Sequence, residues 1–417
     1  MDITTDAKLQ KAHFHRRAGF GATLAELNSG IKNHELLGHW LQTQPSIDVP
    51  SLGAVEKGKG RAEQALKFGD WLLTQMVTAS NPLHEKVTNF WRDHFVVGIK
   101  KIRFPQLLTD YETRLRTYAL GDFQELLWSV TTSPAMLSYL DNAQNRSGKI
   151  NENYSREVME LFTVGRGNYS ERDIQEGARA LTGWTINPDR LAGKATSIFA
   201  PRRHDSGVKT FLGHQGNLKA EDVVEILANH PNTAKTLSAK LWSTFVYANP
   251  EPSIVQRLAQ VYKAKNRSIK AMVEAIFTSP EFYSAKAYRS HLKNPMYFMV
   301  GSIRQLQIQT DPVKVLGSLR SMGQVPYNAP TVKGWPQDSG WLTAPSLLTR
   351  LNLAQKLTQD YGDDGGFVYN PDRFTSQDLI ALLLDGNADP VLRNAMKELS
   401  VKESTALILS SPTYQLA

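Results

Sequence analysis

The 417-residue chain contains no cysteine. That absence removes disulfides, thiolate zinc sites, cysteine nucleophiles and cysteine-held iron–sulfur clusters from consideration. Long apolar runs are also missing. The longest, Leu379 to Leu384 with its neighbours, falls far short of the roughly 18 to 20 residues that cross a bilayer, so no membrane span is expected. The opening Met1-Asp2-Ile3-Thr4-Thr5-Asp6 has no basic stretch leading into an apolar one, and no secretory signal is visible. A processed export product reads the same way: the expectation is periplasmic or secreted for a processed form and cytoplasmic otherwise. No block of roughly five or six like charges occurs, as a nucleic-acid-binding tail would show, and nucleic acid is not the expected partner. A GxSxG elbow, a Walker A loop and a dinucleotide glycine fingerprint are each absent from a strand context, which argues against the common serine-hydrolase, P-loop and dinucleotide classes.

What is present is a folding composition. Hydrophobic residues make up 41% and charged residues 21%, enough to bury a sizeable core. The length predicts two or three helical subdomains at roughly 150 residues each. The net charge of +8 is uneven: from Asp360 onward there are nine acids and four bases, which leaves +13 on the first 359 residues. Such a surplus steers anionic partners toward the protein.

Apolar residues recur at three- and four-residue spacing in Ala62 to Val77, His84 to Val97, Gln106 to Leu120, Tyr154 to Val164, Thr236 to Val246, Met296 to Leu306 and several shorter windows. The chain reads as mainly α. Asn81-Pro82 and Asn294-Pro295 each place a cap before a first-turn proline. The exception is 196–217, where β-favouring residues flank an Asp205-Ser206-Gly207 turn and predict a small hairpin or ordered loop. Ser-Pro recurs at Ser133-Pro134, Ser279-Pro280 and Ser411-Pro412. Proline opening a new helix explains each copy locally, while a triplication is the sharper reading. The organisation we expect is an N-terminal helical subdomain over 1–140, a central one over 141–290 and a C-terminal one over 291–417, with Gly362 to Asn370 as the linker candidate.

Three clusters carry chemistry. On a helix from about Glu152, the residues Tyr154, Val158, Leu161 and Phe162 form the buried stripe while Asn153, Arg156, Glu157 and Glu160 share the other side. If that face lines a cleft, Glu152, Glu157 and Glu160 can split into an acid and a base or nucleophile, with Arg156 holding one of them ionised. A solvated face with i,i+4 ion pairs fits the same spacing. The second cluster gathers Arg202, Arg203, His204, Asp205, Lys209 and His214 among Gly207, Gly213 and Gly216, a composition suited to an anionic group or simply to a surface hairpin. The third, Asn81 to Gly98, sets His84, Trp91 and Phe95 on one stripe and adds His94; core packing is the bland reading. The histidines lack metal-motif spacing, so neither metal nor cofactor is predicted. A metal or haem protein using His94, His204 or His214 is the third alternative.

The strings RRAGFGAT at Arg16 to Thr23, NFWRDHFVV at Asn89 to Val97, the run Tyr139 to Asp173, ARALTGW at Ala178 to Trp184, RHDSGVKTFLG at Arg203 to Gly213 and GWPQDSGWL at Gly334 to Leu342 together resemble the bacterial domain of unknown function 1800 family. The resemblance runs from about residue 11 to 357 and is expected to continue to the end. It implies proteins that are often exported and often encoded beside a sulfatase-like family, hence work on an extracellular or envelope polymer. Two departures stand out: His13 and His15 sit where the family mostly has leucines, and the export signal is missing. The expectation is a helical carbohydrate-active enzyme, a hydrolase or lyase on an anionic polysaccharide or oligosaccharide. Glu157, Glu160, Glu152 and His204 would be its catalytic groups. Arg203, Lys209, Asp205, Trp184, Arg156, Asn151 and His94 would bind substrate. The alternative is a non-catalytic binding or assembly protein that works with a secreted sulfatase-like partner.

Overall fold

The computed structural model describes residues 3–52, 60–102, 106–189, 194–359 and 366–417. Helices account for 60% of it, 21 in all among the described residues, beside three two-stranded sheets. No helix among them is long and apolar enough to cross a membrane. The buried apolar residues form one cluster running from Phe14 to Tyr414, fed by all three expected segments. Of the linker candidate, 362–365 lies outside the described residues, and Phe367–Val368 pairs with Gln309–Thr310.

Two helices run through the middle. Pro82–His94 is opened by Asn81, whose side chain accepts from the His84 N–H, and by a first-turn proline. Pro295–Leu306 starts the same way from Asn294 and stops at Gln307, which turns left-handed at φ +52. Both are buried almost throughout, so their polar residues have no outward face and must be paired inside. Lys86 donates to Gly19 O at 2.8 Å and lies 3.5 Å above the Tyr297 ring. Glu112, wholly buried, takes Arg92 at 2.7 Å, Arg116 at 2.8 Å and the Tyr327 hydroxyl at 2.5 Å; Arg116 continues to Glu85. Burial alone would raise Glu112, but the two guanidiniums outweigh it and hold the carboxyl down at about 2.

The region around 196–217 holds two hairpins rather than one. Lys194–Phe199 pairs back onto Trp184–Asp189, and Lys209–Phe211 pairs with His214–Gly216. Their reversal falls at Leu212 and Gly213, both with positive φ, so the second hairpin turns there and not at Asp205-Ser206-Gly207. The Ser-Pro pairs each open a short helical turn, at Pro134–Tyr139, Pro280–Tyr283 and Pro412–Gln415.

Candidate functional site

The acidic helix is two elements. Asn153–Glu157 is α-helical and passes into a π-helical turn, Val158–Phe162. Such turns are rare and collect at functional sites. This one is held from behind: His94 Nε2–H donates to Phe162 O at 3.0 Å, and Lys240 Nζ donates to Leu161 O at 2.6 Å and to His94 Nδ1 at 3.3 Å. Burial first, then Lys240, pushes the His94 imidazole well below its usual value, so it is neutral and fits both bonds. His94 therefore faces the interior and positions the turn.

The glutamates divide. Arg156 pairs bidentately with Glu171 at 2.8–2.9 Å and with Glu152 at 3.5 Å. Glu160 accepts the Tyr169 hydroxyl at 2.9 Å. Glu157, half-buried, is raised by burial and by the neighbouring Glu160 against the pull of Lys333 and Arg156. Asn151 is tied to Asn145 and caps Asn153.

The basic loop is bound to the Glu171–Ala180 helix, not to these glutamates. Asp205 pairs with Arg179 at 2.8 Å, Glu176 accepts the Thr210 N–H and Asp173 the Leu212 N–H. Arg203 donates to Ala143 O and Thr185, buried Lys209 to Gly207 O and Asn217, and His204 Nδ1 lies 3.0 Å from Thr182 O. The Trp184 ring packs between Trp128 and Phe199. Among the described residues, no hydrogen bond or ion pair joins this loop to Glu152, Glu157 or Glu160.

A second gathering lies under the segment from Thr331 to Leu342. His291 Nδ1 is 2.8 Å from Asp338 Oδ1. Burial and Arg17 lower the imidazole despite that carboxylate, while Asp338 is held down, against burial, by the His291 bond. A carboxylate only accepts, so the neutral ring carries its proton on Nδ1 and leaves Nε2 with a free lone pair; Nε2 is buried without a protein partner. Asp338 sits at φ +41, a left-handed conformation of the kind that persists at functional sites. Gly334, at φ +88, passes so close to Asp93 O that a Cβ there would come within 2.9 Å of it. Burial, only partly offset by Arg92, lifts the Asp93 carboxyl to about 7. Asp93 acts on Tyr297, and Tyr297 shares Arg17 with His291. The same segment brings Lys333 to Glu157 and sets Trp335 6.1 Å from Trp341.

The sequence reading missed Asp93, His291 and Asp338 as site residues, although Asp93 and Asp338 lie inside strings that carried the resemblance. The signal available was charge inside an otherwise apolar helix end: Arg92-Asp93-His94 is flanked by Phe90, Trp91 and Phe95. Among the described residues no three His, Asp or Glu side chains gather as a metal set. One cavity is walled by Gln355, Thr358 and residues from Leu399 to Ser410 and another by residues from Ala7 to Phe14 with Tyr283, and neither is lined by Asp93, His291 or Asp338.

No curated protein and no solved structure matches the chain. A family model described as "Protein of unknown function (DUF1800)" matches residues 13–416, nearly the whole sequence, and the chain belongs to that family.

Proposed function

We propose that the protein is an acid–base enzyme that cleaves an anionic carbohydrate polymer, by hydrolysis or elimination, with Asp93 as acid and His291 as base. One observation carries this: two groups that border the Thr331 to Leu342 segment, Asp93 at Gly334 and His291 at Asp338, are perturbed in opposite senses, a carboxyl lifted to about 7 and an imidazole lowered with Nε2 unbonded. Burial favours the neutral form of each, so the carboxyl keeps a proton to give and the imidazole keeps a lone pair to take one. Asp93 would give its proton to the leaving oxygen. His291 Nε2 would take one from water, or from the carbon beside a substrate carboxylate. Arg17, fixed on the carbonyls of Thr244, Phe245 and Val246, supplies a preorganised positive field for the anionic group. The exposed Lys333 and half-buried Trp335 extend that surface, Trp335 with a face for a sugar ring. Access to Nε2 requires the Thr331 to Leu342 segment to lift.

Glu157 and Glu160 are the competing pair, since Glu157 is half-buried and raised. At i,i+3 they reach only the short end of the roughly 5 to 10 Å that paired glycosidase carboxyls span. Glu152 is committed to Arg156, which leaves His204, Arg203 and Lys209 to hold the loop's shape. The test is turnover of acidic polysaccharides by Asp93→Asn, His291→Gln, Glu157→Gln and Glu160→Gln. Loss in the first two with the last two active supports the assignment; the reverse pattern moves catalysis to the π-helical turn.

A second reading, a binding protein for a sulfatase-like partner, is favoured by Leu342, Leu347, Leu348 and Leu351, all exposed at or near the start of the Ala344–Thr358 helix. Charged replacements there would abolish co-purification with such a partner.

A further inference from the structure

A second charged centre lies apart from the proposed catalytic groups, where the first helix meets the end of the chain. Arg16, from Ala7–Ala18, spends Nη1 on both oxygens of Asp385, at 2.8 and 2.9 Å. Arg289 binds the same carboxylate and the carbonyls of Leu383 and Thr413. Arg350, from Ala344–Thr358, spends Nη1 on Gln415 Oε1 at 3.0 Å. Lys293 bonds through its backbone to Gln415 O, and its Nζ lies 3.3 Å above the Tyr414 ring. Burial first, then Arg289, Arg16 and Arg350, pushes the Lys293 amine well below its usual value, with Asp385 the one carboxylate acting against them. Arg16, Arg289 and Lys293 thus share a single buried acid, and Arg350, close enough to act on Lys293, has no carboxylate of its own.

The unused atoms are specific. Arg16 is 9% exposed and Arg350 1%, and in each the buried atoms without a partner are Nε and Nη2. Those two nitrogens form one edge of a guanidinium, the fork that takes two oxygens of a single oxyanion. Leaving such an edge dry and empty costs the full desolvation of its donors, and two charged groups repeat the cost. A point anion such as chloride satisfies neither fork. A tetrahedral oxyanion offers an oxygen pair to each, and a dianion offsets the surplus left after Asp385.

We propose that Arg16, Arg350 and Lys293 hold a buried tetrahedral oxyanion, phosphate or sulfate, that ties the first helix to the Ala344–Thr358 helix and the C-terminal residues. Both forks are closed to solvent, so the ion exchanges slowly and survives dialysis. The test needs no variant at first. Purified protein is dialysed against buffer free of phosphate and sulfate and denatured in acid, and the supernatant is analysed by ion chromatography. Release of either ion in stoichiometric amount supports the site and tells the two apart. Thermal unfolding is then followed with added sodium phosphate or sodium sulfate, ionic strength being held constant with sodium chloride. The wild type is expected to gain a saturable rise in Tm. Arg350→Lys keeps the charge but loses the fork, and about 1.5 to 3 kcal/mol for a charged hydrogen bond translates to roughly ten- to a hundredfold weaker half-saturation. The proposal falls if no oxyanion is released and Tm follows ionic strength alone. It also falls if Arg350→Lys and Lys293→Met respond as the wild type does, which makes any ion found adventitious only.

Discussion

Replacing Asp93 with asparagine should stabilise the protein, and only above a certain pH. Burial lifts this carboxyl from 3.8 to about 7. Below about 4 it is protonated in both folded and unfolded chains and contributes nothing. Between about 4 and 7 the unfolded chain sheds the proton while the folded one keeps it, so stability falls as pH rises. Above about 7 the folded state carries the full penalty. At 1.36 kcal/mol per pH unit the ceiling is about 4 kcal/mol, and partial exposure brings the expectation to about 2 kcal/mol. Asp93→Asn removes the charge while keeping an amide of similar size. Urea unfolding of wild type and variant at pH 4.5 and pH 8 measures it. The variant should match the wild type at the lower pH and exceed it at the higher. Equal differences at both pH values, or a variant less stable at pH 8, would refute the claim that Asp93 is held in an environment that resists its charge. A stabilised variant is the behaviour expected of a residue kept for chemistry at the expense of the fold.

Glu112→Gln should behave in the opposite way, costing about 3 to 5 kcal/mol because Arg92 and Arg116 lose a shared buried counter-charge; the denaturant midpoint reads this directly. Asp385 is depressed: burial is overcome by Arg16 and Arg289. Its contribution is complete above its unfolded value of 3.8 and fades as pH falls below it, so the deficit of Asp385→Asn at pH 7 should shrink in acid unfolding near pH 3. Arg156→Ala removes exposed pairs with Glu152 and Glu171 and should change stability by less than about 1 kcal/mol; a larger loss would mean the acidic helix depends on it.

The helices were legible because their signals are local. Asn81-Pro82 and Asn294-Pro295 cap where the spacing predicts, and the apolar stripes of 62–77 and 106–120 bury as expected. The 196–217 insertion was visible as β structure, but its pairing was not: the partner of Lys194–Phe199 lies upstream at Trp184–Asp189 and follows from register, not composition. The π-helical turn was invisible, since one inserted residue leaves the apolar pattern nearly intact while His94 and Lys240, 68 and 79 residues from their carbonyl partners, hold it. The same holds for His291 and Asp338, 47 residues apart in irregular segments with no period to reveal them. Asp93 escaped because its helix is buried at every position except its own, which leaves no polar face to mark it out. The acidic helix and the basic loop, conspicuous as strings, are instead each tied to the Glu171–Ala180 helix between them.

The most direct measurement is product formation from a panel of acidic polysaccharides, read both as new reducing ends and as the ultraviolet absorbance of an unsaturated elimination product, for wild type and His291→Gln across pH 5 to 9. An active wild type with a bell-shaped profile whose acidic limb reports His291 and whose basic limb reports Asp93, alongside an inactive but fully folded His291→Gln, is the predicted result. A variant that turns over the same polymer at the wild-type rate would contradict it.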